Sequence, residues 1–147
     1  MTLPVFVVDT NVVVAGLITA TPESPPAAIL DAMLAGALIY LLSPALLAEY
    51  RAVLLRPRIV ARHGLSESAV DALLVELTAN AIWREPVVEP PAPDRGDDHL
   101  WALLATQAGS TLVTGDRLLL EEPPAGNAVM APATWLAAFA HDARSAE

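Results

Sequence analysis

The chain has 147 residues, and its 17 acidic and 8 basic residues give a formal net charge of -9. It contains no cysteine, which excludes disulfides and thiolate metal sites, and no lysine, which excludes a P-loop lysine and Schiff-base chemistry. No apolar run reaches the roughly 18 residues of a membrane span and the N-terminus has no basic leader region, so we predict a cytoplasmic protein. Because the chain is acidic, we do not expect it to bind long nucleic acid through net charge alone.

The first predicted element is the apolar run VFVV, which ends at an acidic residue, Asp9. A strand that is hydrophobic on both faces is typical of a parallel sheet covered by helices, and open α/β sheets bind ligands at the carboxyl ends of their strands. A proline-rich loop over residues 19–28 then leads into a helix. A second apolar strand over 37–43 precedes another helix, which ends near Leu55. Both helices begin with the Ser-Pro pair that is typical of a capped N-terminus.

The second half of the chain continues this alternation. Pro57 ends the previous helix, because proline disfavours helical geometry in the residue before it. The stretch 86–93 is too rich in proline for a helix and predicts at most a short edge strand and an extended link. The other predicted elements are a helix from Ser66 to about Trp83, a helix from Asp97 to Gly109, strands over 111–116 and 127–132, and a helix from Thr134.

Strands that alternate with helices of this length predict an α/β protein. We expect a three-layer α/β/α sandwich with a central, mostly parallel sheet. The sequence has no internal repeat and no sign of a second domain, so we predict a single domain over residues 1–140, followed by a C-terminal tail over 141–147.

Four acids stand out by their positions. Asp9 and Asp116 each end a predicted strand and Asp98 opens a helix, so these three carboxylates are expected to meet at one edge of the sheet. Glu49 borders the apolar stripe of its helix and does not point straight to water. Asp97 fits the N-cap position of the helix that Asp98 opens, which leaves Asp98 as the candidate that points toward the other acids.

Converging carboxylates repel one another, since two charges about 4 Å apart cost roughly 4 kcal/mol at an effective dielectric of 20. The chain has no lysine to offset that repulsion, whereas Mg²⁺ or Mn²⁺ prefers oxygen ligands of this kind. The acids therefore predict a metal site, although each of them alone could be an ordinary turn or cap residue. His63, His99 and His141 lack the spacing of paired ligands, and we assign them no metal role.

A small basic cluster follows Glu49 in the sequence and consists of Arg51, Arg56, Arg58 and Arg62. Such a run is usually a solvated surface. Our hypothesis is that these arginines guide an RNA strand toward the acidic residues.

Taken together, the segments VVDTNVVVAGL, SPALLAEYRAVLLRP, DDHLWALLATQAGSTLVTGDRLLL and MAPATWLAAF resemble the PIN-domain ribonucleases, and in particular the VapC-like toxins of bacterial toxin-antitoxin pairs. The resemblance implies a PIN-like, Rossmann-related fold. It implies that the catalytic, metal-binding set is Asp9, Glu49, Asp98 and Asp116. It also implies that Thr10 and Asn11 support the first acid and that Thr114 is the small hydroxyl residue before the last one.

By this resemblance, the expected activity is Mg²⁺- or Mn²⁺-dependent endonucleolytic hydrolysis of RNA by the toxin of a toxin-antitoxin pair. The expected partners are an RNA substrate, an antitoxin protein and a second copy of the chain. Two alternatives belong to other classes. One is a non-catalytic PIN-like module that binds RNA or a partner protein. The other is a phosphatase or receiver-type domain, which is disfavoured because those families rely on a lysine that is missing here.

Overall fold

A computed structural model describes residues 3–87, 92 and 95–145. At its centre are short parallel strands in the order β1-β4-β5 and a parallel pair β2-β3. A parallel bridge between Phe6 and Tyr40 joins the two groups, which gives the spatial order 3-2-1-4-5. The strands are β1 (Phe6–Val8), β2 (Leu41–Leu42), β3 (Ile82–Trp83), β4 (Thr111–Val113) and β5 (Ala128–Met130).

Helices connect successive strands and cover the sheet. Those in the described part of the chain are α1 (Thr10–Ile18), α2 (Pro25–Ala35), α3 (Pro44–Leu54), α4 (Pro57–His63), α5 (Glu67–Ala79), α6 (Asp98–Ala105), α7 (Arg117–Glu121) and α8 (Pro132–Ser145). All of β1 is buried, as expected of a strand with helices on both sides. The predicted α/β/α class with a parallel sheet is confirmed.

The capping residues explain where two of the helices begin. Ser24 accepts a hydrogen bond from the backbone N–H of Ala27, and Ser43 accepts one from the backbone N–H of Leu46. Each serine is followed by a proline at the first helical position, where the lack of an N–H costs nothing. Both predicted helix starts are therefore present in the structure.

Other boundaries differ from the sequence-based expectation. Residues 10–18, to which the pattern assigned no element, form α1, and the expected link after Pro57 contains α4. The helix predicted to reach Trp83 ends at Ala79, because the next residues pair with β2 through backbone hydrogen bonds. Of the proline-rich stretch 86–93, residues 88–91 and 93 lie outside the described part.

Helix α1 packs closely on α2. A Cβ atom added at Gly16 would lie 2.6 Å from the carbonyl oxygen of Pro26, so the two helices meet at a distance that only glycine allows. At the other end of the chain, α8 continues to Ser145, and the division at residue 140 stays a prediction. None of the helices in the described ranges is long and apolar enough to cross a membrane.

Candidate functional site

The carboxyl ends of β1 and β4 lie side by side. Val8 and Val113 are register partners, and the backbone N–H of Asp9 donates to the carbonyl of Val113 at 2.9 Å. Asp9 and Thr114 therefore leave the sheet at the same edge. Asp9 is also the N-cap of α1, where its Oδ1 accepts the backbone N–H of Thr10 at 2.8 Å.

The Asp9 carboxylate is only 4% exposed and its second oxygen is also engaged. Oδ2 accepts hydrogen bonds from Thr114 Oγ1 at 2.7 Å and from Asn11 Nδ2 at 3.3 Å. Burial raises the pKa of Asp9, the bonds from Thr114 and Thr10 oppose that rise, and the charges of Glu49 and Asp116 add to it. A neighbouring cation would relieve this charge repulsion.

Asn11 and Thr114 connect the start of α1 to the loop after β4. Asn11 Oδ1 accepts the backbone N–H of Gly115 at 3.0 Å, while its Nδ2 donates to Thr114 Oγ1 at 3.3 Å. Thr114 Oγ1 also accepts the N–H of Asp116 at 3.0 Å. Thr10 and Asn11 thus contact Asp9, the acid that the resemblance implies they support. Thr114, expected as the hydroxyl residue before the last acid, bonds both to Asp9 and to the backbone of Asp116.

Glu49 lies on α3 and is held from two sides. Its Oε1 accepts Thr10 Oγ1–H at 2.7 Å, and its Oε2 lies 2.6 Å from His99 Nε2 on α6. The bond from His99 is the main cause that lowers the pKa of Glu49, and the same bond raises the pKa of His99. One carboxylate therefore connects α1, α3 and α6.

A cavity of about 550 Å³ opens beside these residues. Its acidic lining includes side chains from four parts of the chain, namely Asp9, Glu49, Asp97 and Asp116. Val14, Ile18 and Val53 form an apolar wall, and Arg56 is the only basic residue among the described residues of the lining. The cavity therefore has an acidic floor, an apolar side and one cationic group.

The two adjacent aspartates differ in their surroundings. Asp97 ends a short 3₁₀ turn (Arg95–Asp97), occupies the N-cap position of α6 without a side-chain cap bond, and lines the cavity. Asp98 is not among the described lining residues, and its Oδ1 accepts the backbone N–H of Ala92 at 2.7 Å. Three of the four predicted acids thus share one cavity, and the structure adds Asp97 where the sequence interpretation chose Asp98.

The predicted arginine cluster separates into distinct environments. Arg51 pairs with Glu67 at 2.7 Å and with Asp71 at 2.8 Å, and hydrogen bonds to these two acids raise its pKa. Arg56 lines the cavity, whereas Arg58 and Arg62 are exposed on α4. Only Arg56 faces the acidic residues directly.

The donor chemistry of the cavity suits a hard divalent cation, because its four acids offer carboxylate oxygens. Within the described residues, however, no three His, Cys, Asp or Glu side chains are gathered closely enough to form a metal site as they stand. Protein donors already occupy both oxygens of Asp9 and of Glu49, although each oxygen retains a further acceptor position.

Two residues with a part in this arrangement were missed by sequence reasoning. Asp97 was interpreted as the N-cap, and Asp98 was chosen over it by its spacing from Asp116. A position near a strand end does not distinguish between adjacent acids on a turn. His99 was excluded as a ligand by its spacing, and its contact with Glu49 spans 50 positions of sequence, which a local pattern does not report. The acidic pair in Asp97-Asp98-His99 was the available signal.

Comparison with known proteins identifies one family. Residues 5–118, more than three quarters of the chain, match the PIN domain. No curated protein and no solved structure gives a significant match.

Proposed function

The chain belongs to the PIN-domain family, whose members are usually nucleases, and from this premise we propose that it is a Mg²⁺- or Mn²⁺-dependent endoribonuclease. The observation that carries the proposal is the cavity at the ends of β1 and β4, lined by Asp9, Glu49, Asp97 and Asp116. Four carboxylates around one cavity repel each other unless a cation is bound between them. A divalent cation held by one or two carboxylates and water is the usual arrangement where such cations assist phosphate chemistry.

In this proposal the cation lies among the four acids and is bound by a few of their oxygens together with water, because no three of these described side chains are close enough to bind it at once as they stand. Asp97 takes the role that the sequence interpretation gave to Asp98. The bound cation would supply Lewis acidity that lowers the pKa of a water and stabilises negative charge on a phosphate. Asp9 is fixed in advance by donors from Thr10, Asn11 and Thr114, so its oxygens need little reorganisation during the reaction.

The rest of the cavity supports a nucleic-acid substrate. Arg56 can contact a phosphate oxygen next to the acidic floor, because a guanidinium offers several donors to such groups. The apolar wall of Val14, Ile18 and Val53 provides a surface for a base or ribose of a single strand. The exposed Arg58 and Arg62 extend the positive surface along α4.

The decisive experiment is incubation of the purified protein with single-stranded RNA in the presence of Mn²⁺ or Mg²⁺. We expect internal cleavage that stops on addition of EDTA and falls at least 100-fold in Asp9→Asn. Full activity of a folded Asp9→Asn variant would refute the mechanism. A folded wild-type protein that binds RNA without cleaving it would favour a non-catalytic binding module.

The neighbouring aspartates offer a matched pair of variants. Asp97→Asn and Asp98→Asn remove the same charge one residue apart, and only Asp97 lines the cavity. We expect Asp97→Asn to lose nuclease activity and Asp98→Asn to keep most of it, with a loss of stability from the weakened bond to Ala92. The opposite ranking would return the ligand role to Asp98.

We also propose that the nuclease is the toxin of a toxin-antitoxin pair, that an antitoxin protein silences it and that it forms a homodimer. The sequence resemblance to VapC-like toxins supports this proposal. Induced expression in a bacterial host should arrest growth with the wild-type protein and not with Asp9→Asn. Equal growth of the two strains at equal expression would contradict the toxin role, and light scattering of the purified protein tests the dimer.

A further inference from the structure

His99 contacts one of the cavity's carboxylates, that of Glu49, but has no part in the proposed chemistry. Its Nε2 lies 2.6 Å from Glu49 Oε2, and its side chain is 16% exposed. We propose that His99 is a positioning residue, which holds the Glu49 carboxylate in the orientation needed to bind the divalent cation. This inference rests on the proposed function and assigns a role to a residue that does not itself bind the metal.

The Glu49 side chain needs such support. It is long, it is 31% exposed, and it reaches the cavity from the middle of α3. Unrestrained, a glutamate side chain samples many rotamers, and a metal ligand loses affinity when it must be ordered during binding. Thr10 restrains one oxygen at 2.7 Å, and His99 restrains the other. With both bonds present, the plane of the carboxylate is fixed.

The ring of His99 is committed to this contact. Its other nitrogen, Nδ1, is buried and has no hydrogen-bond partner among the described residues. Within the described part of the chain, the hydrogen bonding of the ring is therefore directed at Glu49. A hydrogen-bond donor of this kind, placed behind a carboxylate ligand, is the usual means by which proteins orient metal ligands.

The contact also fixes the relative position of two helices that carry acids of the cavity. His99 is the second residue of α6, which starts directly after Asp97, whereas Glu49 lies on α3. The bond between them holds the two helices, and with them two of the acids of the cavity, in one relative position. Loss of the bond should therefore weaken metal binding without changing any acidic residue.

The test compares His99→Leu, which removes the donor at similar volume, with His99→Gln, whose amide can still donate to Glu49. The Kd for Mn²⁺ is measured by titration calorimetry without RNA, and kcat and KM are measured with single-stranded RNA. His63→Leu is the matched control, since this half-buried histidine, as far as the described residues go, bonds to the backbone of Leu54 and Leu65 and not to an acidic side chain. Melting temperatures are recorded for all variants.

We expect His99→Leu to weaken Mn²⁺ binding about 10- to 100-fold and to lower kcat by a similar factor with little change in KM, the usual size of such effects. His99→Gln should recover most of both losses, and His63→Leu should lower the melting temperature while leaving the Kd for Mn²⁺ unchanged. If His99→Leu does not fold, the comparison of His99→Ala with His99→Gln decides. An unchanged Kd in the variant without a donor, or equal losses in the leucine, alanine and glutamine variants, would overturn the positioning role. Wild-type protein that neither binds Mn²⁺ nor cleaves RNA would instead refute the proposed function, and the inference with it.

Discussion

Replacement of Tyr50 by phenylalanine should destabilise the protein and disturb the site at once. Tyr50 follows Glu49 on α3, is fully buried, and donates its hydroxyl hydrogen to the carbonyl oxygen of Val8, the last residue of β1. Burial raises its pKa well above the usual value, so the hydroxyl stays protonated and remains a donor at neutral pH. Tyr50→Phe leaves that carbonyl without its buried donor, which costs about 1–3 kcal/mol of unfolding free energy.

For a chain of this size, each kcal/mol lowers the melting temperature by about 2–4 °C, so we expect a drop of about 2–12 °C in scanning calorimetry. Tyr40→Phe is the matched control, because Tyr40 is also fully buried and donates to a backbone carbonyl, that of Leu77 in the last turn of α5. Burial raises the pKa of Tyr40 to about 12. Loss of the Tyr40 hydroxyl should lower the free energy of unfolding by a similar amount.

The two variants should differ in activity. Val8 immediately precedes Asp9, whereas Leu77 lies on α5, which contributes no residue to the cavity among those described. At a temperature where both variants are folded, we expect Tyr50→Phe to lower kcat severalfold and Tyr40→Phe to leave it unchanged. Melting temperatures equal to that of the wild type would refute the stability argument, and equal activities would refute the link between β1 and the site.

Two further predictions concern charge. Arg56→Ala should raise KM for single-stranded RNA at least fivefold, and the increase should be larger at low salt than at high salt. The control Arg51→Ala removes exposed ion pairs with Glu67 and Asp71 and should leave KM within twofold. Equal effects of the two substitutions would show that the arginines act only through net charge. In EDTA the protein should be most stable between about pH 4.5 and 6.5, the ordinary pKa values of Glu49 and His99. Because folding raises the pKa of His99, its contribution to stability is present at low pH and is lost as the pH rises through that raised pKa. Because folding lowers the pKa of Glu49, its contribution is lost as the pH falls through that lowered pKa. The raised pKa of Asp9 means that ionisation of Asp9 destabilises the folded state. Thermal melts that show greater stability at pH 8 than at pH 6 would contradict this assignment.

The parts of the site at strand ends were predictable from sequence. A carboxylate at or just beyond the end of an apolar strand is expected at the carboxyl edge of a parallel sheet. Asp9 directly follows β1, and Asp116 lies three residues after β4 as the N-cap of α7. Glu49 was found because its helix has a clear apolar stripe beside it. In each case a short-range pattern determines the position of the side chain.

The errors arose where distant contacts decide the local structure. The valine-rich segment of α1 has weak helical propensity and becomes a helix because it starts at a capping aspartate and packs on α2. Ile82 and Trp83 leave the helical pattern because β2 offers them a parallel partner. The different surroundings of Asp97 and Asp98 depend on a hydrogen bond that the backbone N–H of Ala92 donates to Asp98, and the choice between the two acids stays a prediction. None of these partners can be recognised from neighbouring residues alone.

The close approach at Gly16 bears on how firmly substrate can be bound. Helix α1 carries Thr10 and Asn11 in its first turn, and Gly16 in its last turn lies so close to α2 that an added Cβ atom would be 2.6 Å from the Pro26 carbonyl oxygen. This close contact holds α1 against α2. Thr10 and Asn11, which donate to Asp9 and Glu49, are therefore held in place when the chain folds and not only when a substrate binds. The conformational entropy of these side chains is therefore lost during folding and not during binding, so more of the binding energy contributes to affinity. An alanine at Gly16 would push the two helices apart and return part of that entropy loss to the binding step.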